Sequence, residues 1–219
     1  MISTPKRSEQ YDDIGNSYIS EKDNFFSQIS DPGKEAILDF LRGQKDKEGV
    51  DVGCGGGQDT KAYLNTEIKS IIGVDPSDVM VKEAQRLLGS DGALLGSWTD
   101  LPFSDDSKDF LIGRFSLHYV EDVSAAYKEG ARVLRRKGKL IMILPDPKAD
   151  PVVIEGGKEM VKTPIFGGKV IVTYPRHRKD EYFSDTFNNL FKLINEEAYA
   201  SPERNLGFTD TLIVIAEKR

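Results

Sequence analysis

A chain of 219 residues is long enough for one α/β domain with a sizeable core, and its 38% hydrophobic and 30% charged residues are those of an ordinary globular protein. A formal net charge of −6 disfavours a broad phosphate-binding surface, so nucleic acid is disfavoured as a partner. The expectation is a protein without membrane contact in a reducing cytoplasm: no apolar run approaches the ~20 residues that span a bilayer, the opening "MISTPKRSEQ" lacks an apolar signal core, and the single cysteine, Cys54, excludes an internal disulfide.

Near the start, "YDDIGNSY" sets Tyr11 and Tyr18 seven residues apart, which places them on one face of a helix. "PGKEAILDFLRG" (32–43) predicts a helix with proline at its start and glycine at its end. "GVDVG" (49–53) predicts a short buried strand, followed by a loop containing Gly53, Gly55, Gly56 and Gly57 and a helix opening at about Gln58. "IIGVD" (71–75) is the second strand, and "SDVMVKEAQRLLG" (77–89) is a helix with Ser77 as N-cap. Further strands follow at "ALLG" (93–96), "DFLIG" (109–113) and "KLIMILP" (139–145), with a helix predicted from about Val120 to Lys137 on the spacing of Val123, Ala126, Tyr127, Gly130, Ala131, Val133 and Leu134. Strand–helix alternation of this kind predicts parallel strands joined by right-handed crossovers, with helices on both faces.

After Pro145 the rhythm changes. Two β-prone runs joined by Gly167-Gly168 predict a hairpin with a two-residue turn, residues 179–194 a helix, and "DTLIVIAEKR" a last strand. The expected fold class is α/β: a Rossmann-like, doubly wound, mostly parallel sheet with a C-terminal antiparallel strand and an inserted β-hairpin. One domain is expected over 1–219, divided into N-terminal helices at 1–45, a parallel-sheet core at 46–146 and an added hairpin, helix and last strand at 147–219.

The glycine loop leaves the first strand and opens a helix, so its backbone N–H groups and the positive helix end face the crevice where open α/β sheets bind ligands. Asp75, at the end of the second strand, is placed to accept hydrogen bonds from both hydroxyls of a ribose. Together they suggest a nucleoside cofactor, with a dinucleotide and an adenosylated amino acid both open. Taken singly each has a plainer explanation, since glycine turns are common and an aspartate after a strand often caps the next helix. The NAD fingerprint needs a glycine where Gln58 stands. A Tyr-x-x-x-Lys pair, Tyr18 and Lys22, precedes the glycine loop, the wrong chain order for a short-chain dehydrogenase. No metal site is expected.

"VDVGCGGG" fits the pattern Asp-x-Gly-x-Gly-x-Gly, and "GVDPSDVM", "LPFSDDSKDFLIGRFSLHYVED" and "GARVLRRKGKLIMILP" follow in order. Over Val50 to Pro145 the chain resembles the class I S-adenosylmethionine-dependent methyltransferases, and "YDDIGNSY" is similar to the aromatic entry segment of the small-molecule members. The resemblance implies that Gly53 and Gly55 line the methionine part of S-adenosyl-L-methionine with Asp51 shaping the loop from beneath. It implies further that Asp75 holds the ribose, that Pro76 and Met80 pack near the adenine, and that Arg114 lies at the amino-acid end. Tyr11 and Tyr18 would fold over the cofactor, which makes 1–45 a lid, 46–146 the cofactor-binding core and 147–219 a substrate cover. Ser97 and Trp98 stand where relatives carry an aspartate and a small residue beside the adenine amino group; Trp98 either stacks there or fills core.

The implied reaction is methyl transfer to a small-molecule acceptor. Where methyltransferases of nucleobase or glutamine amines carry an (Asn/Asp/Ser)-Pro-Pro-(Tyr/Phe) motif, this chain has "RFSLHY". The alternatives are a protein or RNA methyltransferase and a non-catalytic S-adenosylmethionine-binding module. His118 and His177, the only histidines, are the candidates for acid–base work, against plain packing for His118 and a solvated turn for His177. Arg132, Arg135, Arg136 and Lys137 read as cations at a helix C-terminus.

Overall fold

The computed structural model describes residues 8–148 and 151–219; residues 1–7 of the expected lid and 149–150 of the expected cover lie outside the described residues. Five strands, β1 (Glu48–Val52), β2 (Ser70–Asp75), β3 (Ala93–Leu95), β4 (Lys108–Arg114) and β5 (Leu134–Pro145), pair in parallel in the order β3-β2-β1-β4-β5. Three more, β6 (Val152–Glu155), β7 (Lys158–Ile165) and β8 (Val170–Pro175), form a separate antiparallel sheet. The chain then returns to the first sheet, where β9 (Phe191–Tyr199) and β10 (Thr211–Lys218) add antiparallel strands in the order β5-β10-β9.

Strand periodicity builds the two core layers. Along β5, Leu140, Met142 and Leu144 face one cluster with Tyr127 and Ala131 of α5 (Val123–Val133), while Ile141 and Ile143 face the other with Ile37 and Leu41 of α2 (Pro32–Arg42) and Tyr63 of α3 (Gln58–Tyr63). All of these side chains are almost completely buried, each contributing roughly 1.5–3 kcal/mol if aliphatic. A further helix, α4 (Asp78–Leu88), is capped by Ser77 and packs Val81 and Ala84 against Cys54 and Ala93. The first helix, α1 (Ser8–Phe26), crosses the carboxyl end of the sheet between α4 and the small sheet. Ile14, Tyr18, Phe25 and Phe26 of α1 pack on Val161, Phe166, Val172 and Tyr174 of the small sheet and its turn.

Three expected elements are corrected. The helix expected to reach Lys137 stops at Val133, because Leu134 already pairs with Lys108; Lys137 takes a positive φ of 63° in the irregularity before Lys139 pairs with Phe110. The two-residue turn at Gly167-Gly168 is longer: Phe166 leaves the ladder, buries its ring against Phe25, and donates its N–H to the Glu203 carbonyl. The direct two-residue turn is Gly156-Gly157, joining a strand, β6, that the reading of the sequence left out. The helix expected over 179–194 is split into α6 (Lys179–Tyr182) and α7 (Asp185–Leu190), the latter capped by Ser184, and residues 191–194 belong to β9. Helical spacing there is overridden by pairing with β10, while Phe187 and Phe191 stay together at 5.7 Å between ring centroids.

Candidate active site

Above the carboxyl ends of β1, β2 and β4 lies a cavity of about 580 Å³. Its floor is the glycine loop. Gly53 takes φ +80°, and a Cβ there would sit 2.2 Å from Ser116 Cβ, so the loop and the segment after β4 meet only because that atom is missing. Gly55 differs: at φ +55° its missing Cβ would meet nothing closer than Met80 Sδ at 4.0 Å, and the space it leaves belongs to the cavity. One glycine serves packing, the other makes room for a ligand.

Asp75 closes the loop from the side. Its two carboxylate oxygens accept N–H bonds from Ser77 (3.0 Å) and Gly55 (2.9 Å), each keeping acceptor capacity on the cavity side. Burial outweighs these bonds and raises its pKa to about 6. Asp51, beneath the loop, accepts from Thr60 Oγ1 at 2.6 Å; burial, with Asp59 nearby, lifts it to about 7.

The opposite end is charged. Arg114 bridges Asp31 (2.7 Å) and Asp59 (3.0 Å), and Asp59 also pairs with Lys22 (2.5 Å) and Lys34 (3.2 Å). Burial alone would raise the Asp59 pKa, but Lys22 and Arg114 overcome it and hold the carboxyl well below the usual range. Lys22 comes from α1, so this cluster fastens the helix to the domain beneath. So do the Ser77–Asp12 hydrogen bond and the contact between the Tyr11 and Tyr119 hydroxyls at 2.6 Å.

The cavity brings together Tyr11, Tyr18, Asp51, Gly53, Gly55, Asp75, Pro76, Met80, Ser97, Trp98 and Arg114, all of them expected from the sequence. Tyr11 and Tyr18 stand edge to face at 5.3 Å. Trp98 is both core and wall: it is buried among Leu101, Leu111 and Leu117, and its Nε1 donates to Ser116 Oγ at 3.0 Å. Ser97 Oγ lies 3.1 Å from Thr99 Oγ1. Neither histidine lines this cavity. His118, buried in a 3-10 turn after β4, is packed between Tyr119 (4.2 Å) and Tyr174 (4.4 Å) and borders a smaller pocket. His177 borders an open groove but is itself buried, not on a solvated turn, with Nδ1 3.2 Å from Glu181 Oε2.

Reading the sequence missed Lys22, Asp59, Ser116 and Tyr119, all of which line the cavity. Lys22 and Tyr18 were read as a coincidental dehydrogenase pair, yet their four-residue spacing on a helix does point both at one place. The arginines 132 and 135 are held by local acids, Arg132 by Glu129 and Asp105 and Arg135 by Asp109.

Parallel sheet, glycine loop and a terminal aspartate on the next strand define a Rossmann-like domain built to hold a nucleoside cofactor. Residues 50–142 match the methyltransferase domain family. YcgJ, an uncharacterized methyltransferase of Bacillus subtilis, is 32% identical over 111 residues, and a demethylmenaquinone methyltransferase of Staphylococcus carnosus is 28% identical over 141. These alignments span 48% and 61% of this chain but only 44% and 58% of the relatives' own lengths. In fold, the crystal structure of YcgJ matches with a TM-score of 0.61 at 18% identity over 85% of this chain and 98% of that one. An S-adenosylmethionine-dependent methyltransferase from Mesorhizobium loti gives 0.63 at 19% over 80% and 92%. Residues 50–142 are thus a methyltransferase domain, the chain as a whole matches S-adenosylmethionine-dependent methyltransferases in fold, and S-adenosylmethionine is the cofactor expected of that domain. The residues present fit that group: open space at Gly55 for its approach, a buried carboxylate at Asp75 with free lone pairs for a diol, and apolar walls from Met80 and Trp98. Among the described residues no group of side chains is placed to hold a metal ion, and no helix is long and apolar enough to cross a membrane.

Proposed function

We propose that the chain transfers the methyl group of S-adenosylmethionine to a small-molecule acceptor inside the cavity. The carrying observation is enclosure: α1 lies across the carboxyl end of the sheet with Tyr11 and Tyr18 in the cavity wall, and the small antiparallel sheet packs on α1 and backs it. The cover suits a compact acceptor better than a polymer. The reading takes the described chain as one unit, in which the N-terminal helices and the small sheet serve the central cofactor-binding part.

The cofactor supplies an electrophilic methyl on sulfur, and after transfer S-adenosylhomocysteine remains. The protein has to orient, exclude water and let the acceptor's proton leave. In this reading Asp75 holds the ribose diol, Gly53 and Gly55 let the backbone approach, and Arg114, already neutralised by Asp31 and Asp59, shapes the amino-acid end with Lys22. Tyr11, Tyr18 and Tyr119 form an aromatic rim. His118 and His177 lie outside the cavity lining, so alignment and desolvation carry the chemistry in preference to a histidine base.

Calorimetry with S-adenosylhomocysteine and NAD, followed by profiling of a metabolite extract with methyl-labelled S-adenosylmethionine, tests this. Binding of S-adenosylhomocysteine without NAD, and label in a low-molecular-weight product, is the expected result. Label retained only in RNA or protein would move the acceptor to a macromolecule. Cofactor binding with no transfer to any fraction would leave a binding module.

A further inference from the structure

Next to the large cavity is a pocket of about 40 Å³ with a different chemistry. Tyr18, Arg114, Phe115 and Tyr119 line both spaces. The rest of the small pocket is walled by Phe26, Phe166 and Tyr174 from α1 and the antiparallel sheet, with His118 between Tyr119 and Tyr174. Thr163, Glu203 and Arg204 complete the polar part of the lining, and beside the rings His118 Nδ1 and Arg114 Nε are buried without a hydrogen-bond partner. The Arg114 guanidinium lies between the rings of Phe26 (5.4 Å) and Phe115 (5.5 Å), both of which line the pocket. Leaving such groups unpaired is unfavourable, and a bound partner removes that cost.

Resting on the methyltransferase reading, we propose that the acceptor is a planar aromatic compound whose far end carries an uncharged carbonyl oxygen, and that this oxygen docks in the small pocket against His118 and Arg114, making His118 a specificity residue. Volume sets the size: 40 Å³ has room for about three waters, enough for a carbonyl end and not for a second ring. Aromatic side chains in the lining, Phe26, Phe115, Phe166 and Tyr174 among them, favour a flat, unsaturated group. Charge sets the polarity. Arg114 is matched by Asp31 and Asp59, and Arg204, which also lines the pocket, by Asp210, with Glu203 beside them, so no cation is left over for an anion. Burial, followed by the nearby His177 and Arg204, holds the His118 pKa well below its usual value. The imidazole is therefore neutral and acts as a hydrogen-bonding group.

The test uses acetophenone, benzoate and toluene as probes of the full chain saturated with S-adenosylhomocysteine. Affinities are read by calorimetry, and the His118 ring nitrogens by long-range ¹⁵N–¹H spectra. Acetophenone is expected to bind at least about tenfold more tightly than toluene and to shift the His118 nitrogens. His118→Phe should remove that preference while leaving S-adenosylhomocysteine affinity within about twofold, and His118→Gln should restore part of it. Should His118→Phe fail to fold, the wild-type spectra and His118→Gln still decide. Toluene binding as tightly as acetophenone, or unmoved His118 signals, would overturn the proposal; benzoate binding most tightly would make the pocket an anion site and overturn it as well. Failure of S-adenosylhomocysteine itself to bind would instead strike the methyltransferase reading.

Discussion

Lowering the pH should loosen the cofactor through one carboxylate. Asp75 is buried, accepts two backbone N–H bonds and titrates at about 6 in the free protein. A ribose diol donates to the ionised form, so binding draws the pKa down, and affinity is full above pH 6 and declines as pH falls through it. With a free-protein pKa near 6, about one carboxyl in eleven is ionised at pH 5, which predicts roughly tenfold weaker binding than at pH 8, about 1.4 kcal/mol. Calorimetry with S-adenosylhomocysteine between pH 5 and 8 reads this directly, and proton uptake measured in buffers of different ionisation heat should show release near pH 6. Asp75→Asn keeps one acceptor oxygen but loses the charge; it should bind about 1–3 kcal/mol more weakly at pH 8 and show a flat profile. Asp51, titrating at about 7 beneath the same loop, is the competing source of a slope, and Asp51→Asn should leave the limb near pH 6 in place. A slope that survives Asp75→Asn would refute the assignment of the diol to Asp75.

Asp51→Asn makes a second prediction, in stability. Its folded pKa of about 7 against 3.8 for a free side chain means that folding favours the protonated form, so that contribution is complete below about pH 4 and lost as pH rises through 7. The amide should stabilise the unliganded protein against unfolding by up to about 4 kcal/mol at pH 8 and by less than half of that at pH 5; equal effects at both would show that burial does not set this group. Gly53→Ala should destabilise strongly, because its Cβ would stand 2.2 Å from Ser116 Cβ at a φ of +80°, whereas Gly55→Ala, facing open space, should hurt cofactor affinity more than melting temperature. A melting temperature unaffected by Gly53→Ala would contradict the packing. Lys22→Met removes one arm of the Asp59 cluster, so backbone exchange over residues 8–20 should quicken without ligand and slow again when S-adenosylhomocysteine is added. Exchange that ignores both the substitution and the ligand would mean that α1 is not fastened there.

What the sequence made legible had local causes. The five parallel β-strands and the helices over 32–43 and 77–89 carry their periodicity and caps within a dozen residues, and Gly53, Gly55 and Asp75 form one strand–loop–strand unit. The errors arose where a distant partner decides. Helical spacing in "FKLI" is real, yet Phe191 to Tyr199 pairs with a strand that begins twelve residues later. The turn at Gly167-Gly168 looked short because nothing nearby shows that Phe166 is drawn away by Phe25 and by the Glu203 carbonyl. Asp59 is the clearest case. Read alone it is an acid in the first turn of a helix, worth a few tenths of a kcal/mol against the helix dipole. In the fold it gathers Lys22, Lys34 and Arg114 from three elements, and that convergence, not the carboxylate itself, ties α1 to the rim of the cavity. Both histidines were singled out because imidazole is the usual acid–base group, and their chemistry was legible while their surroundings were not. His118 lies one residue before Tyr119, which lines the cavity, but the 3-10 turn points its ring at Tyr174 and into the smaller pocket. A single residue of phase there separates a base at the reacting atoms from a neutral group that reads the far end of the acceptor.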